Sequence, residues 1–150
     1  MVIGIGNSFR GDDAAGREVA RRVQERAADE VDVVVCGLEP TRLIDTWEGA
    51  DAAFVVDAVS SEAEPGTVHR FDATSEALPS REFRSSTHAL GIGETIELAR
   101  AIGRLPRRIV VFGIEGEVFG SGTELSGPAQ EGVERAVELV LEEAGCTSRH

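Results

Sequence analysis

Apolar residues recur along this chain in two rhythms. MVIGI (1–5), VDVVVCGL (31–38), AAFVVDAV (52–59) and RRIVVFGIE (107–115) are short, nearly continuous runs rich in Val and Ile. That is the pattern of strands buried on both faces of a parallel sheet, and 31–38 in particular reads as a central strand. Between them the spacing lengthens. Over 14–29, Val19, Val23 and Ala27 share one stripe and Glu18 stands four before Arg22, which predicts a helix. EPTRLIDTWEGA predicts a short helix with Leu43, Ile44 and Trp47 turned inward. PGTVHRF (65–71) opens with turn residues and then alternates, as an edge strand does, and the polar 72–87 reads as a loop. A helix over 89–103 carries Ile92, Ile96, Leu98 and Ala99 and stops at Gly103. A last helix opens at Pro128, carries Val133, Ala136, Val137, Val140, Leu141 and Ala144 at helical spacing, and ends at Gly145.

The order β-α-β-α-β-β-α-β-α predicts an α/β fold, a three-layer α/β/α sandwich around a mostly parallel five-stranded sheet. With 150 residues and no repeat or linker, the expectation is a single domain over 1–150. Hydrophobic residues at 41% and charged residues at 28% are ordinary globular usage. The apolar runs are strand-sized and residue 1 leads straight into one, so neither a leader nor a membrane span is expected. Two cysteines, Cys36 in a strand and Cys146 near the end, suit a reduced cytoplasm without a disulfide framework. The formal charge of −12 makes nucleic acid and anionic lipid poor partners.

The chemistry concentrates after the first strand, in GIGNSFRGDDAAG (4–16). Gly6 to Gly11 has the spacing of a phosphate loop, but Asp12 and Asp13 follow where Lys and Ser or Thr would be needed. A dinucleotide fingerprint fails as well, since its third glycine would fall at Phe9. Two acids at the mouth of a turn repel phosphate and fit a cation or a polar peptide group better.

In open α/β sheets ligands gather outside the carboxyl ends of the strands. The loop after the first strand brings Asn7, Asp12 and Asp13 there, the third strand brings Asp57 at its end, and the loop before the third helix brings His88. Two carboxylates and an imidazole suit zinc, nickel or another borderline cation. Asp12 and Asp13 have a second reading as helix caps, and the two divide naturally, Asp12 capping and Asp13 facing the cleft. Asp57 ends an apolar run, where a carboxylate is costly unless something pairs with it. His69 lies in the edge strand and His150 at the terminus, which leaves His88 for the rim. A serine hydrolase of this architecture would want G-x-S-x-G, which does not occur, although Ser8, Ser60, Ser85 and Ser86 lie near the rim. Cys36 reads as a small core residue.

Four stretches in this order, GIGNSFRGDDAAG, FVVDAV, SSTHALGI and VVFGIEGEVFGSGTELSGP, resemble the signatures of the hydrogenase maturation endopeptidases, the nickel-dependent processing proteases of [NiFe] hydrogenases. The resemblance runs across essentially the whole chain. It implies an endopeptidase that removes a C-terminal peptide from the precursor of a hydrogenase large subunit after nickel insertion, with the nickel carried by that precursor. It also implies that Asp13, Asp57 and His88 bind the metal; the catalytic hypothesis is that Asp13 or Asp57 activates water or the metal polarises the carbonyl. The expected setting is the cytoplasm and the expected state a monomer. Family members carry Glu or Asp at the first position, so Asp13 shortens the reach by one methylene. The competing reading from another class is a non-catalytic metal-binding or chaperone-like module that docks on a metalloprotein precursor.

Overall fold

In the computed structural model, which describes residues 1–6, 11–37, 39–78, 91–117 and 125–145 and, for Asp12 and Asp13, the backbone alone, the apolar runs pair into one five-stranded sheet. Its strands are β1 (Val2–Ile5), β2 (Val33–Cys36), β3 (Ala52–Val59), β4 (Val68–Asp72) and β5 (Arg108–Glu115), in the order β2-β1-β3-β5-β4. Three of the four pairings are parallel, β1 with β2 and β3, and β3 with β5, while β4 alone runs antiparallel, on the outside of β5. The antiparallel edge strand follows from the chain itself, because β3 and β4 are too close in sequence for a parallel crossover helix.

Among the described residues four α-helices cover both faces: α1 (Ala15–Ala27), α2 (Pro40–Trp47), α3 (Ile92–Ala101) and α4 (Gly127–Glu143). Alternation along the strands splits the core in two. Val2, Phe54, Val56, Val110, Phe112 and Ile114 meet Val19, Val23, Val133, Val137 and Val140 of α1 and α4. Ile3, Ile5, Val55, Ile109 and Val111 meet Leu43, Ile44 and Trp47 of α2 and Ile92 and Ile96 of α3. The result is the α/β/α sandwich with a mostly parallel sheet that the element order predicts. Arg22 and Arg26 both reach Glu134, at 2.6 and 2.7 Å, and tie α1 to α4 at the surface. Gly103 and Gly145, both at φ +72°, end the segments of α3 and α4, as glycine in the left-handed region does.

Three details depart from the sequence expectation. The run 31–38 is not central: β2 is an edge strand of only Val33–Cys36, with Val35 40% exposed. An apolar run reports the burial its side chains want and says nothing of how many strands flank its backbone. Leu98, one of the apolar residues that mark α3 in the sequence, is 46% exposed. It lies two residues from Ile96, about 200° around the helix, and so on the opposite side. The N-cap of α1 is Ala14, not Asp12; Gly11–Ala14 forms a 3-10 turn, and no side chain caps the helix.

The glycines of the opening stretch have a packing role. A Cβ on Gly4 would lie 2.3 Å from the Gly16 carbonyl oxygen and 2.6 Å from Ala20 Cβ, and one on Gly16 would lie 2.3 Å from the carbonyl oxygens of Ile5 and Val56. Strand β1 and the first turn of α1 therefore touch backbone to backbone, the approach for which dinucleotide folds also use a glycine. Gly16→Ala should destabilise the protein by about 1–3 kcal/mol, the cost of overpacking. Helix propensity alone would make the same change favourable by about 1 kcal/mol, so the sign of the shift in the urea midpoint decides between the two.

Candidate functional site

Parallel pairing brings the carboxyl ends of β1, β2, β3 and β5 to one rim of the sheet. From β1 the chain crosses to the 3-10 turn that holds Asp12 and Asp13, and this turn lies against β3. The backbone of Asp13 is thereby brought to the strand that carries Asp57. The side chain of Asp13 and the whole of His88 lie outside the described residues, as do Asn7, Ser8, Ser85, Ser86, Cys146 and His150.

Asp57 is only 4% exposed. Strand β3 does not stop there but runs on to Val59, because Ala58 and Val59 keep pairing with Ile114 and Glu115. Asp57 Oδ1 accepts the N–H of Ala58 at 2.8 Å. Side chains at Val55 and Val59 belong to the core under α2 and α3, and alternation puts Asp57 on that same face. Burying a carboxylate among apolar neighbours is unfavourable by several kcal/mol unless donors or a cation meet it, and the Ala58 N–H is one such donor.

The register extends the site sideways. Asp57 pairs with Gly113 of β5, and Gly113 pairs on its other side with His69 of β4. On the opposite flank Ile5 pairs with Cys36 at the end of β2. Cys36 and Ile5 belong to the α2/α3 face, and so does Phe71, two residues beyond His69. One face of the sheet thus carries Cys36, Asp57 and His69 in nearly one row. Burial pushes the Cys36 thiol up from its ordinary range; the Arg42 guanidinium pulls it down, and the negative charge of Asp57 adds to the rise.

Next to this row stands a carboxylate that the sequence reading did not single out. Glu115, the last residue of β5, is 2% exposed and fully committed. Its Oε2 accepts the Ser61 N–H at 2.8 Å, its Oε1 accepts the Ser61 hydroxyl, and His69 Nε2 lies 3.2 Å from Oε1. Its backbone holds the same connection again, with Gly66 N–H donating to the Glu115 carbonyl at 2.7 Å and Glu115 N–H donating to the Thr67 carbonyl at 2.8 Å. One residue therefore pins the β3–β4 connection at both ends, and within it Glu62 takes φ 69°, a left-handed conformation that non-glycine residues adopt at a cost. Ser61 donates to a carboxylate rather than to an imidazole, so it lacks the activated geometry of a serine nucleophile. The sequence marks His69 only as an edge-strand residue; the signal that places it is its two-residue offset from Phe71, which puts both on the inward face.

The protein family model described as hydrogenase maturation protease matches residues 16–143 of this chain, a span that includes Asp57 and His88 and begins just after Asp13. The hydrogenase 2 maturation protease of Escherichia coli is 26% identical over 145 residues, covering 94% of this chain and 87% of its own length. The hydrogenase expression/formation protein HupD of Thiocapsa roseopersicina is 27% identical over 145 residues, 95% of this chain and 66% of HupD. Among solved structures, the [NiFe] hydrogenase maturation protease HycI of Thermococcus kodakarensis superimposes with a TM-score of 0.75 at 28% identity, covering 96% of this chain and 90% of that one.

The electrostatic link between Asp57 and Cys36 can be measured without any substrate. In a Cys146→Ser background, Asp57→Asn should move the pH profile of Cys36 alkylation by iodoacetamide to lower pH. A thiol raised by a neighbouring negative charge is more often thiolate once that charge is removed. An unchanged profile would place Asp57 too far away to act.

Proposed function

The chain belongs to the hydrogenase maturation protease family, a family of endopeptidases, and from that premise we propose that it removes the C-terminal peptide from the precursor of a [NiFe] hydrogenase large subunit once nickel has been inserted. The observation that carries this reading is the buried carboxylate of Asp57 at the carboxyl rim, on the strand against which the Asp13 turn rests. Nickel enters as cargo of the substrate. Oxygen donors from Asp13 and Asp57 with an imidazole from His88 are a set that suits a borderline cation with positions left open. Of these, Asp57 is the donor whose placement is described, and it fits: its carboxylate is desolvated and would gain from a positive charge.

On this reading a loaded precursor is gripped and an unloaded one is not, because the acids wait for an ion that the partner brings. Gripping the ion fixes the adjoining peptide segment, which converts hydrolysis into a step between positioned groups. Asp57 then acts as general base. Water oxygen adds to the scissile carbonyl carbon as its proton passes to the Asp57 carboxylate; the C–N bond breaks and its electron pair leaves on the nitrogen, which takes up a proton. The products are a new carboxyl terminus and a free peptide amine. The proposal places the reaction in the cytoplasm and has one protein molecule dock on one precursor. A charge of −12 disfavours nucleic acid and anionic lipid as competitors, and among the described residues no helix is long and apolar enough to cross a membrane.

Intact-mass spectrometry of the large-subunit precursor, incubated with this protein in nickel-loaded and nickel-free forms, tests the proposal. The expected result is loss of a C-terminal peptide from the loaded form only. Asp57→Asn should lower that cleavage by on the order of a hundredfold or more, the scale of a lost general base, with an unchanged circular dichroism spectrum. Full cleavage by the variant would remove Asp57 from the mechanism, and no mass change in a demonstrably loaded precursor would favour a docking module without catalysis.

A further inference from the structure

We propose that His69, oriented by Glu115, is a further residue of the processing site and that its Nδ1 hydrogen-bonds the backbone of the peptide segment held at Asp57. The inference rests on the processing reading above. Three observations carry it. The first is placement. Asp57 and His69 flank Gly113 from opposite sides and face the same side of the sheet, two strand spacings apart, or about 10 Å between Cα atoms. Gly113 puts no side chain between them, so a segment of extended peptide lying over that glycine would have a carboxylate at one hand and an imidazole at the other.

The second is orientation. His69 Nε2 is held 3.2 Å from Glu115 Oε1, and the carboxylate is itself fixed by the N–H and hydroxyl of Ser61. Phe71 stacks on the ring with centroids 6.2 Å apart. A carboxylate accepts, so Nε2 carries the proton and Nδ1 of the neutral ring is left as an acceptor. Imidazoles with one nitrogen tethered to a carboxylate and the other free to act are the recurrent form of functional histidines. Among the described residues nothing bonds Nδ1, and a peptide N–H is the donor a protein substrate offers there.

The third is energetic. Phe71, two residues on, shows that this inward face of β4 takes an apolar side chain readily. A His–Glu pair with side chains only 16% and 2% exposed is the expensive choice at such a place, because a buried carboxylate costs several kcal/mol unless its hydrogen bonds are made, a cost that apolar side chains do not incur. Glu115 grips Ser61 and the β3–β4 connection without His69, so that grip does not call for the imidazole, whereas an acceptor held toward the substrate does.

Two variants separate the nitrogens. In His69→Gln the amide reaches Glu115 much as Nε2 does and nothing replaces Nδ1. In His69→Asn the amide falls near the Nδ1 position and cannot reach Glu115. The readouts are the melting temperature and the steady-state kinetics of cleavage of the nickel-loaded precursor. The expected result is that His69→Gln melts like the unaltered protein yet raises KM by on the order of tenfold, the scale of a lost hydrogen bond to substrate, with kcat much less affected. His69→Asn should melt lower but recover part of the KM. A His69→Gln protein with unchanged KM and kcat would overturn the inference and leave the processing reading standing. Failure of the unaltered protein to cut a loaded precursor would overturn both.

Discussion

The contact on which the rest of the molecule depends is the approach of β1 to the first turn of α1, backbone against backbone. Gly4 and Gly16 lie where a Cβ on either would sit 2.3 Å from a carbonyl oxygen of the other element or of β3. Because α1 is drawn this close to the sheet, the short 3-10 turn that precedes it is set down against β3 rather than standing off into solvent. The opening stretch thus explains why a glycine-rich turn shaped like a phosphate loop ends in two acids. Gly6 and Gly11 within it take positive φ, Gly4 and Gly16 on either side serve close packing, and that packing brings the backbone of Asp12 and Asp13 to the strand that carries Asp57.

Around that contact the site is built from strand register more than from loops. Asp57, Gly113 and His69 are consecutive rungs on three neighbouring strands, and Glu115 lies one alternation further along the same face. Their relative positions are therefore fixed by backbone hydrogen bonds, the most rigid support a fold offers a reacting group. Glu115 extends that rigidity to the β3–β4 connection, which it grips through both its side chain and its backbone.

Most of the fold was legible from the spacing of apolar residues. Strands buried on both faces and helices with one apolar stripe announce themselves locally, as Val55 and Val137 illustrate. What stayed hidden was relational. The position of β2 at the sheet's edge depends on which runs pair, and no property of VDVVVCGL encodes it. Leu98 misled because it is apolar next to an apolar stripe. Asp57 could be read because a carboxylate inside an apolar run is conspicuous. His69 offered only its offset from Phe71 and Glu115 offered nothing, since a histidine in an alternating edge strand and a glutamate at a strand's end look solvated until the ladder between residues 68–72 and 110–114 brings them together.

That ladder, and the longer one between 52–59 and 108–115, also bear on when the site comes into being. Both join segments that are dozens of residues apart, so each closes a long loop and neither can form until β5 has been synthesised. The strand that joins β3 to β4 is thus the last to arrive. Before it docks, Asp57 has no Gly113 beside it, and His69 has neither a strand partner nor Glu115. A nascent or partly unfolded chain accordingly lacks the row of Asp57, Gly113 and His69 and the Glu115 contact beside it, so assembly of these residues is coupled to completion of folding.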